Sequence, residues 1–233
     1  MSRPERTTER KKTERTGDSA PAERTTERKK TERKSPAERS TEIADAARSL
    51  ALDEGLSAIT LRAVAARIDV APALVAHYQP SMEALVAATF DAIVGAEIDE
   101  VVALLAAQST QRARLAALLE TLLDGTRDDV TVVWVESWVL GRRNDALAAS
   151  VREQMDAWRR VIRNIVDDGV AAGEFETDDA ASVAWQLLGM IDGLNAHALV
   201  HWEDSGHRGS RLNHAVEGML GLRRGALAAT AAD

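Results

Sequence analysis

The side chains that most often carry out chemistry are few and scattered in this sequence of 233 residues. There is no cysteine, which excludes disulfide scaffolds and thiolate chemistry and suits a reducing compartment such as the cytoplasm. His197 and His201 share one face of a predicted helix, but neither an HExxH motif nor a matched acid accompanies them. No nucleophile with its base and no phosphate loop can be recognised. We therefore predict a protein that is not an enzyme and has no metal site and no cofactor.

Aromatic and thioether side chains are concentrated in the second half of the chain. All five tryptophans follow residue 130, at positions 134, 138, 158, 185 and 202. Met155, Phe175 and Met190 accompany them. Such side chains suit an adaptable apolar pocket and equally suit an ordinary core, so both interpretations stay open here.

Composition and periodicity predict that helices position these residues. A capping box, Ser35-Pro36-Ala37-Glu38, starts a first helix that Gly55 ends. Thr60 caps a short second helix that stops at Asp69, and a third begins after Ala71-Pro72 and stops at Gln79-Pro80. From Ser81 the apolar pattern predicts six longer helices, at 81–107, 111–124, 127–141, 144–172, 178–202 and 211–227. No stretch predicts a sheet, so the expected fold is all-α.

Two short helices joined by a brief turn have the layout of a helix-turn-helix. The residues at this place, LRAVAARIDVA from Leu61 and HYQPSMEAL from His77, resemble the signature of the TetR family. The resemblance covers about 50 residues near the start of the chain, in the register of that family. It implies a three-helix DNA-binding domain followed by a helical bundle for ligand binding and dimerisation.

The resemblance also implies which residues contact double-stranded DNA. Thr60 would cap the second helix and touch a phosphate, and Arg62 would reach the backbone or a base edge. The groove-facing side of the recognition helix would consist of Ala71, Pro72, Ala73, Ala76, His77 and Tyr78. For His77, an ordinary surface histidine is the alternative.

Several positions depart from the family pattern. Asp69 replaces the usual turn glycine, which is tolerable because Asp adopts the left-handed conformation more readily than most residues. Ala71, Ala76, Gln79 and Met82 stand where the family has a capping Ser, an aromatic residue, Phe and a phosphate-binding Lys. These departures motivate an alternative function, a helical protein-interaction module with a degenerate helix-turn-helix.

The segment after Gly173, and WQLLGMIDGLNAHALV from Trp185 to Val200, resembles the C-terminal part of BetI-type members of the family. That resemblance implies a homodimer through the last two helices, at 178–202 and 211–227, in which Gly189 and Gly193 would permit close approach. It also implies a cavity for a small-molecule effector. The candidate ligand-binding residues are Trp134, Trp138, Met155, Trp158, Met190 and Asn195, with Asp192 on the same helix as the last two.

Charge is divided unevenly along the chain. Through Ser40 there are 13 Lys and Arg against 8 Asp and Glu, whereas the rest has 16 against 29. The basic part contains an exact repeat, ERTTERKKTER, at 5–15 and 23–33. It has almost no apolar side chain, so we expect it to be disordered in isolation. It is either a solvated extension or a DNA-contacting arm.

These observations predict four parts: a disordered basic tail at 1–34, a helix-turn-helix domain at 35–80, a helical ligand-binding and dimerisation domain at 81–227, and a C-terminal tail at 228–233. The expected function is that of a ligand-responsive repressor that binds a palindromic operator as a homodimer. We expect neither a signal peptide nor a membrane span, because no stretch approaches the about 18 apolar residues that a span requires. The expected location is the cytoplasm.

Overall fold

The computed structural model of this chain describes residues 34–202 and 208–228, and α-helices form nearly all of that part. The helices are α1 (Pro36–Glu54), α2 (Leu61–Arg67), α3 (Pro72–Tyr78), α4 (Met82–Ala106), α5 (Gln111–Leu123), α6 (Asp128–Leu140), α7 (Asp145–Ala171), α8 (Ala180–Leu199) and α9 (Arg208–Met219). A 3-10 helix, Leu56–Ala58, follows α1. The described residues contain no strand, which confirms the all-α prediction. The predicted tails lie outside the described residues, apart from Lys34 and Ala228.

The predicted helix starts are confirmed at the side chains that cap them. Ser35 and Glu38 form the reciprocal capping box, in which each side chain accepts a hydrogen bond from the backbone of the other residue (3.2 and 2.7 Å). Thr60 and Ser81 each accept a hydrogen bond from a backbone N–H in the first turn of the helix that they cap (3.2 and 3.1 Å). These caps satisfy N–H groups that have no partner within the helix. Helix starts here are thus local properties of the sequence.

The prediction that the last helix runs from 211 to 227 is wrong at its C-terminal end. Helix α9 ends at Met219, and Gly221 and Gly225 then adopt positive φ angles of 65° and 85°. The chain turns back so that the Glu217 carboxylate accepts hydrogen bonds from the backbone N–H groups of Gly225 and Leu227, both at 2.9 Å. This tertiary contact buries Leu227 and replaces the expected helical turns.

The three-helix head, residues 34–80, has the geometry of a helix-turn-helix. Ile43 of α1, Val64 of α2 and Val75 of α3 are fully buried where the three helices meet. The turn between α2 and α3 places Asp69 at a φ of 52°. The N–H of Val70 then donates to the carbonyl of Ala65 at 2.9 Å, which fixes the angle at which α3 leaves the turn.

The helical body, residues 81–202 and 208–228, is organised around α7. Helix α7 packs along α4 on one side and along α8 on the other, and α6 contacts all three. Phe90, Ile162 and Leu187 are fully buried between these helices. One apolar core continues from the head into the body, because α4 packs against α1 as well as α7. The head is therefore not an independent domain joined to the body by a linker.

Asp69 is expected to limit the stability of the head, because its φ lies in the left-handed region. The free energy of unfolding of Asp69→Gly should exceed that of Asp69→Ala by at least about 1 kcal/mol, because a Cβ is unfavourable at this φ and glycine has none. Urea unfolding of the two variants measures the difference. Equal midpoints would show that the turn relaxes out of the left-handed conformation.

Candidate DNA-binding face and ligand cavity

The residues predicted to contact DNA lie together at the outer surface of α2 and α3. Thr60 and Arg62 are exposed at the start of α2, and Ala71, Pro72, Ala73, Ala76 and His77 are exposed along α3. Tyr78 is half-buried and packs against the apolar core. Its ring meets the His77 ring edge to face, with centroids 5.1 Å apart. The described head thus presents a continuous face with one arginine, one histidine and small side chains.

Few cations on the head are available to phosphates. Arg67 is paired with Asp53 at 2.8 Å and with Glu54 at 3.1 Å, and it also donates to the Ser49 hydroxyl. Lys34 and Arg39 are both paired with Glu42. Within residues 34–80, that leaves Arg48 and Arg62 without an ion pair. Only Arg62 belongs to the predicted DNA face.

A small cavity lies inside the helical body, with a volume of about 40 Å³. Helices α4 to α8 all contribute to its wall. Four of the six predicted ligand residues line it: Trp134, Met155, Trp158 and Asn195. The other lining residues are Glu97, Leu122, Leu188, Ile191 and Asp192.

The remaining two predicted ligand residues, Trp138 and Met190, do not line this cavity. Residues 188, 191, 192 and 195 form the inner face of α8, and position 190 is off that face at helical spacing. Trp138 lies one helical turn beyond Trp134, with ring centroids 6.3 Å apart, and it packs against the core there. Its indole N–H is buried without a hydrogen-bond partner among the described residues.

Two contacts hold the cavity wall in place. The Trp134 ring packs edge to face on the buried Phe90 ring, with centroids 5.0 Å apart. The Asn195 amide donates to the carbonyl of Leu122 at 2.9 Å, which joins α8 to the end of α5. The two indoles and the thioether therefore sit in a wall that is closed by packing and by this hydrogen bond.

Glu97 is the buried carboxylate of the cavity, with only 7% of its surface exposed. Burial raises its pKa to about 7, because the charged form loses hydration, and the positive charge of Arg127 and the Trp134 indole offset this only in part. Arg127 is instead paired with Glu100, at 3.0 Å. Burial likewise raises the pKa of Asp192 to about 6. Two carboxylates and two indole rings together suit an organic cation.

No sequence motif marks Glu97 as a site residue, although the pattern of α4 contains a signal for it. Ile93, Glu97 and Val101 recur at four-residue spacing on the buried face of α4. A lone acid in such a stripe must either be neutral or face a polar cavity. Spacing places Asp192 on α8 with the candidate ligand residues, but does not indicate that its carboxylate belongs to the cavity.

Residues 34–202 and 208–228 contain no cluster of three or more His, Cys, Asp or Glu side chains that could hold a metal ion. None of the described helices is long and apolar enough to cross a membrane. The His197 ring packs edge to face on Trp202.

Comparisons with known proteins agree for both parts of the chain. The family model described as bacterial regulatory proteins, tetR family, matches residues 43–89, and that of the C-terminal domain of BetI-type transcriptional repressors matches residues 107–221. The HTH-type transcriptional regulator BetI of Rhizobium meliloti (strain 1021) is 30% identical over 158 residues, which cover 67% of this chain and 75% of that protein.

Solved structures show the same fold. A transcriptional regulator from Saccharomonospora viridis, in complex with choline, has a TM-score of 0.71 and 24% identity and covers 79% of this chain and 98% of its own. A TetR transcription regulator from Haloarcula marismortui ATCC 43049 has a TM-score of 0.69 and 22% identity, with coverage of 79% and 99%. The similarity thus extends over head and body together.

The raised pKa of Glu97 predicts a pH-dependent stability. The folded protein binds this proton up to about pH 7, whereas a free Glu side chain ordinarily has a pKa of 4.5. Stability contributed by neutral Glu97 is therefore full below pH 4.5 and is lost as pH rises through about 7. The free energy of unfolding of Glu97→Gln minus that of the parent should be about 1–3 kcal/mol larger at pH 8 than at pH 5.

Urea unfolding at both pH values measures this, with Glu120→Gln as the control because Glu120 is exposed on α5. A Glu97→Gln variant with the same pH dependence as the parent would show that Glu97 is ionised throughout this range.

Proposed function

This chain belongs to the TetR family of bacterial regulatory proteins and carries a BetI-type C-terminal domain, and we propose that it is a repressor that releases a palindromic operator when an organic cation binds. The proposal rests on a single core that joins an exposed helix-turn-helix face to a cavity containing two carboxylates, neither of which has an ion-pair partner among the described residues. A repressor of this kind would act in the cytoplasm.

Helix α3 has the dimensions required for reading the major groove. Its 7 residues span about 10 Å at 1.5 Å per residue, and the groove is about 12 Å wide. Thr60, Ala71, Pro72, Ala73 and Ala76 would bring backbone and small side chains close to phosphates and base edges. Arg62, His77 and Tyr78 would supply polar contacts.

The head has little phosphate attraction of its own, because only Arg62 on this face carries a full positive charge. The basic tail precedes α1 directly and contains all five lysines of the chain. We assign to it the role of a DNA-contacting arm, since each phosphate neutralised by a Lys or Arg adds salt-dependent affinity. The acidic body would then face away from the DNA.

Homodimerisation is supported by apolar surface on α8 and just after it. Trp185 is 68% exposed, Val200 is 74% exposed and Trp202 is 61% exposed. Gly189 and Gly193 have open space where a Cβ would be, so a second helix can approach closely there. A two-fold dimer through α8 and α9 would cover these side chains and present two copies of α3 to two half-sites.

The choline-bound relative from Saccharomonospora viridis and the chemistry of the cavity support a quaternary ammonium effector. Trp134 and Trp158 would provide aromatic faces, and Glu97 and Asp192 would provide the negative charge. Asn195 is close enough to the site to contact a hydroxyl. A cavity of about 40 Å³ holds only about three waters, so the effector must push the wall helices apart.

Selection of bound DNA from a random pool tests the regulator. We expect an inverted repeat with half-sites one helical turn apart, and light scattering of the free protein at micromolar concentration should give the mass of a dimer.

Arg62→Ala should bind the recovered site about 5- to 150-fold more weakly, for a loss of about 1–3 kcal/mol. Recovery of no sequence would favour the alternative, a helical interaction module whose head lacks the usual lysine and aromatic contacts.

Titration with choline tests the effector by tryptophan fluorescence. Choline carries a fixed charge, whereas Glu97 and Asp192 are neutral below their pKa values of about 7 and about 6. Affinity should therefore rise by about tenfold or more from pH 5 to pH 8. Glu97→Gln and Asp192→Asn should weaken binding at pH 8, and Glu120→Gln should not. Equal binding of the uncharged analogue with carbon in place of nitrogen would contradict a cation site.

A further inference from the structure

Glu136 of α6 holds the three-helix head by two hydrogen bonds. Its carboxylate accepts one from the backbone N–H of Ser57 at 2.8 Å and one from the Ser57 hydroxyl at 3.0 Å. Among the hydrogen bonds and ion pairs of residues 34–202, these are the only ones that join the head to the helical body. The two parts also share an apolar core, where α4 and α6 pack against α1.

Gly55 creates the space that this contact needs. It ends α1 with a φ of 89°, and a Cβ there would lie 2.7 Å from both carboxylate oxygens of Glu136. The Glu136 carboxylate therefore occupies the space that a side chain at position 55 would fill, at the junction of α1 and the 3-10 helix. The carboxylate thus lies against the backbone that ends α1 and, through Ser57, is bonded to the segment that leads into α2.

The same helix carries the wall of the cavity. Trp134 lines the cavity and packs on Phe90, and Glu136 follows two residues later on another face of α6. An α-helix moves as a rigid unit over such a distance. Any rotation or translation of α6 that displaces the Trp134 ring therefore displaces the Glu136 carboxylate as well.

Helix α6 is one of the two shortest wall helices. It has 13 residues, as does α5, whereas α4 has 25 and α7 has 27. The side chain of its N-cap residue makes no capping hydrogen bond, and the helix follows Gly125 at a φ of 82°. A turn at residues 141–143 follows it. Expansion of the cavity can therefore be accommodated by a shift of α6.

We propose that Glu136 is the positioning residue through which displacement of the cavity wall changes the placement of the helix-turn-helix. The inference rests on the proposed ligand response, but the coupling itself can be tested without ligand or operator. Coupling requires that the two states of α6 differ in their contacts with the head. The two hydrogen bonds to Ser57 supply that difference.

Amide hydrogen exchange in the full-length protein provides the test, read at Ile59 and Val64. Their N–H groups bond within the head, to Leu56 at 3.1 Å and to Thr60 at 2.9 Å, and not to Glu136. Trp134→Ala should raise their exchange rates by about tenfold, within the 5- to 150-fold range of typical couplings. In a Glu136→Ala background the same change should alter them by less than about twofold, because the link is absent.

Two outcomes would overturn the inference. One is the same factor in both backgrounds, and the other is no change at Ile59 and Val64 when Trp134 is replaced. The Ile162 amide in the core of α7 reports global destabilisation, and Trp134→Phe replaces Trp134→Ala if that amide also loses protection. Glu153→Ala, at an exposed glutamate of α7, should leave the effect of Trp134→Ala unchanged.

Two further variants test whether the coupling depends on the number of hydrogen bonds between Glu136 and Ser57. Glu136→Gln keeps an amide oxygen that can accept one of the two hydrogen bonds, so it should retain part of the coupling. Ser57→Ala keeps the backbone N–H and should also retain part. Failure of choline to bind would refute the proposed effector, whereas additive exchange effects would refute the link, so the two failures are distinguishable.

Discussion

The buried face of α4 connects the core of the head to the core of the body. Leu85, Phe90, Ile93, Val94 and Val101 along this helix are almost completely removed from water. Helix α4 packs against α1 of the head and against α7 of the body. Because one helix serves both cores, the head and the body form one packed unit. The same face holds Glu97 in the interior, at a cost that burial imposes on its charged form.

The unfavourable burial of the Glu97 charge determines which ligands suit the cavity. A buried carboxylate without a counter-ion is either neutral or binds a cation, and Arg127, which could neutralise Glu97, is paired with Glu100. The indole rings of Trp134 and Trp158 line the site, and its small volume means that occupation requires movement. A cavity of this kind is suited to sensing, because a ligand cannot bind in it without displacing the wall helices. The hydrogen bonds of Glu136 to Ser57 then determine where a displacement of α6 acts on the head.

The features that could be predicted from the sequence are those that local chemistry determines. Ser35, Thr60 and Ser81 cap the helices that they were predicted to cap, because a cap depends only on its own first turn. The end of α9 could not be found in this way, since it depends on the Glu217 carboxylate reaching backbone N–H groups beyond the helix. The cavity shows the same limit. Trp134 and Trp138 share a face by spacing, but only the tertiary arrangement of five helices decides that Trp134 lines the site and Trp138 does not.

The distance between the two recognition helices of the dimer is the quantity that the proposed ligand response must change. The chain has no cysteine, so Ala76→Cys gives one spin label per protomer on α3 and electron–electron resonance measures the distance between the labels. We expect one main distance of about 34–36 Å, the separation of adjacent half-sites, and a shift of several ångströms when choline fills the cavity. An unchanged distance with the cavity occupied would refute the proposed ligand response.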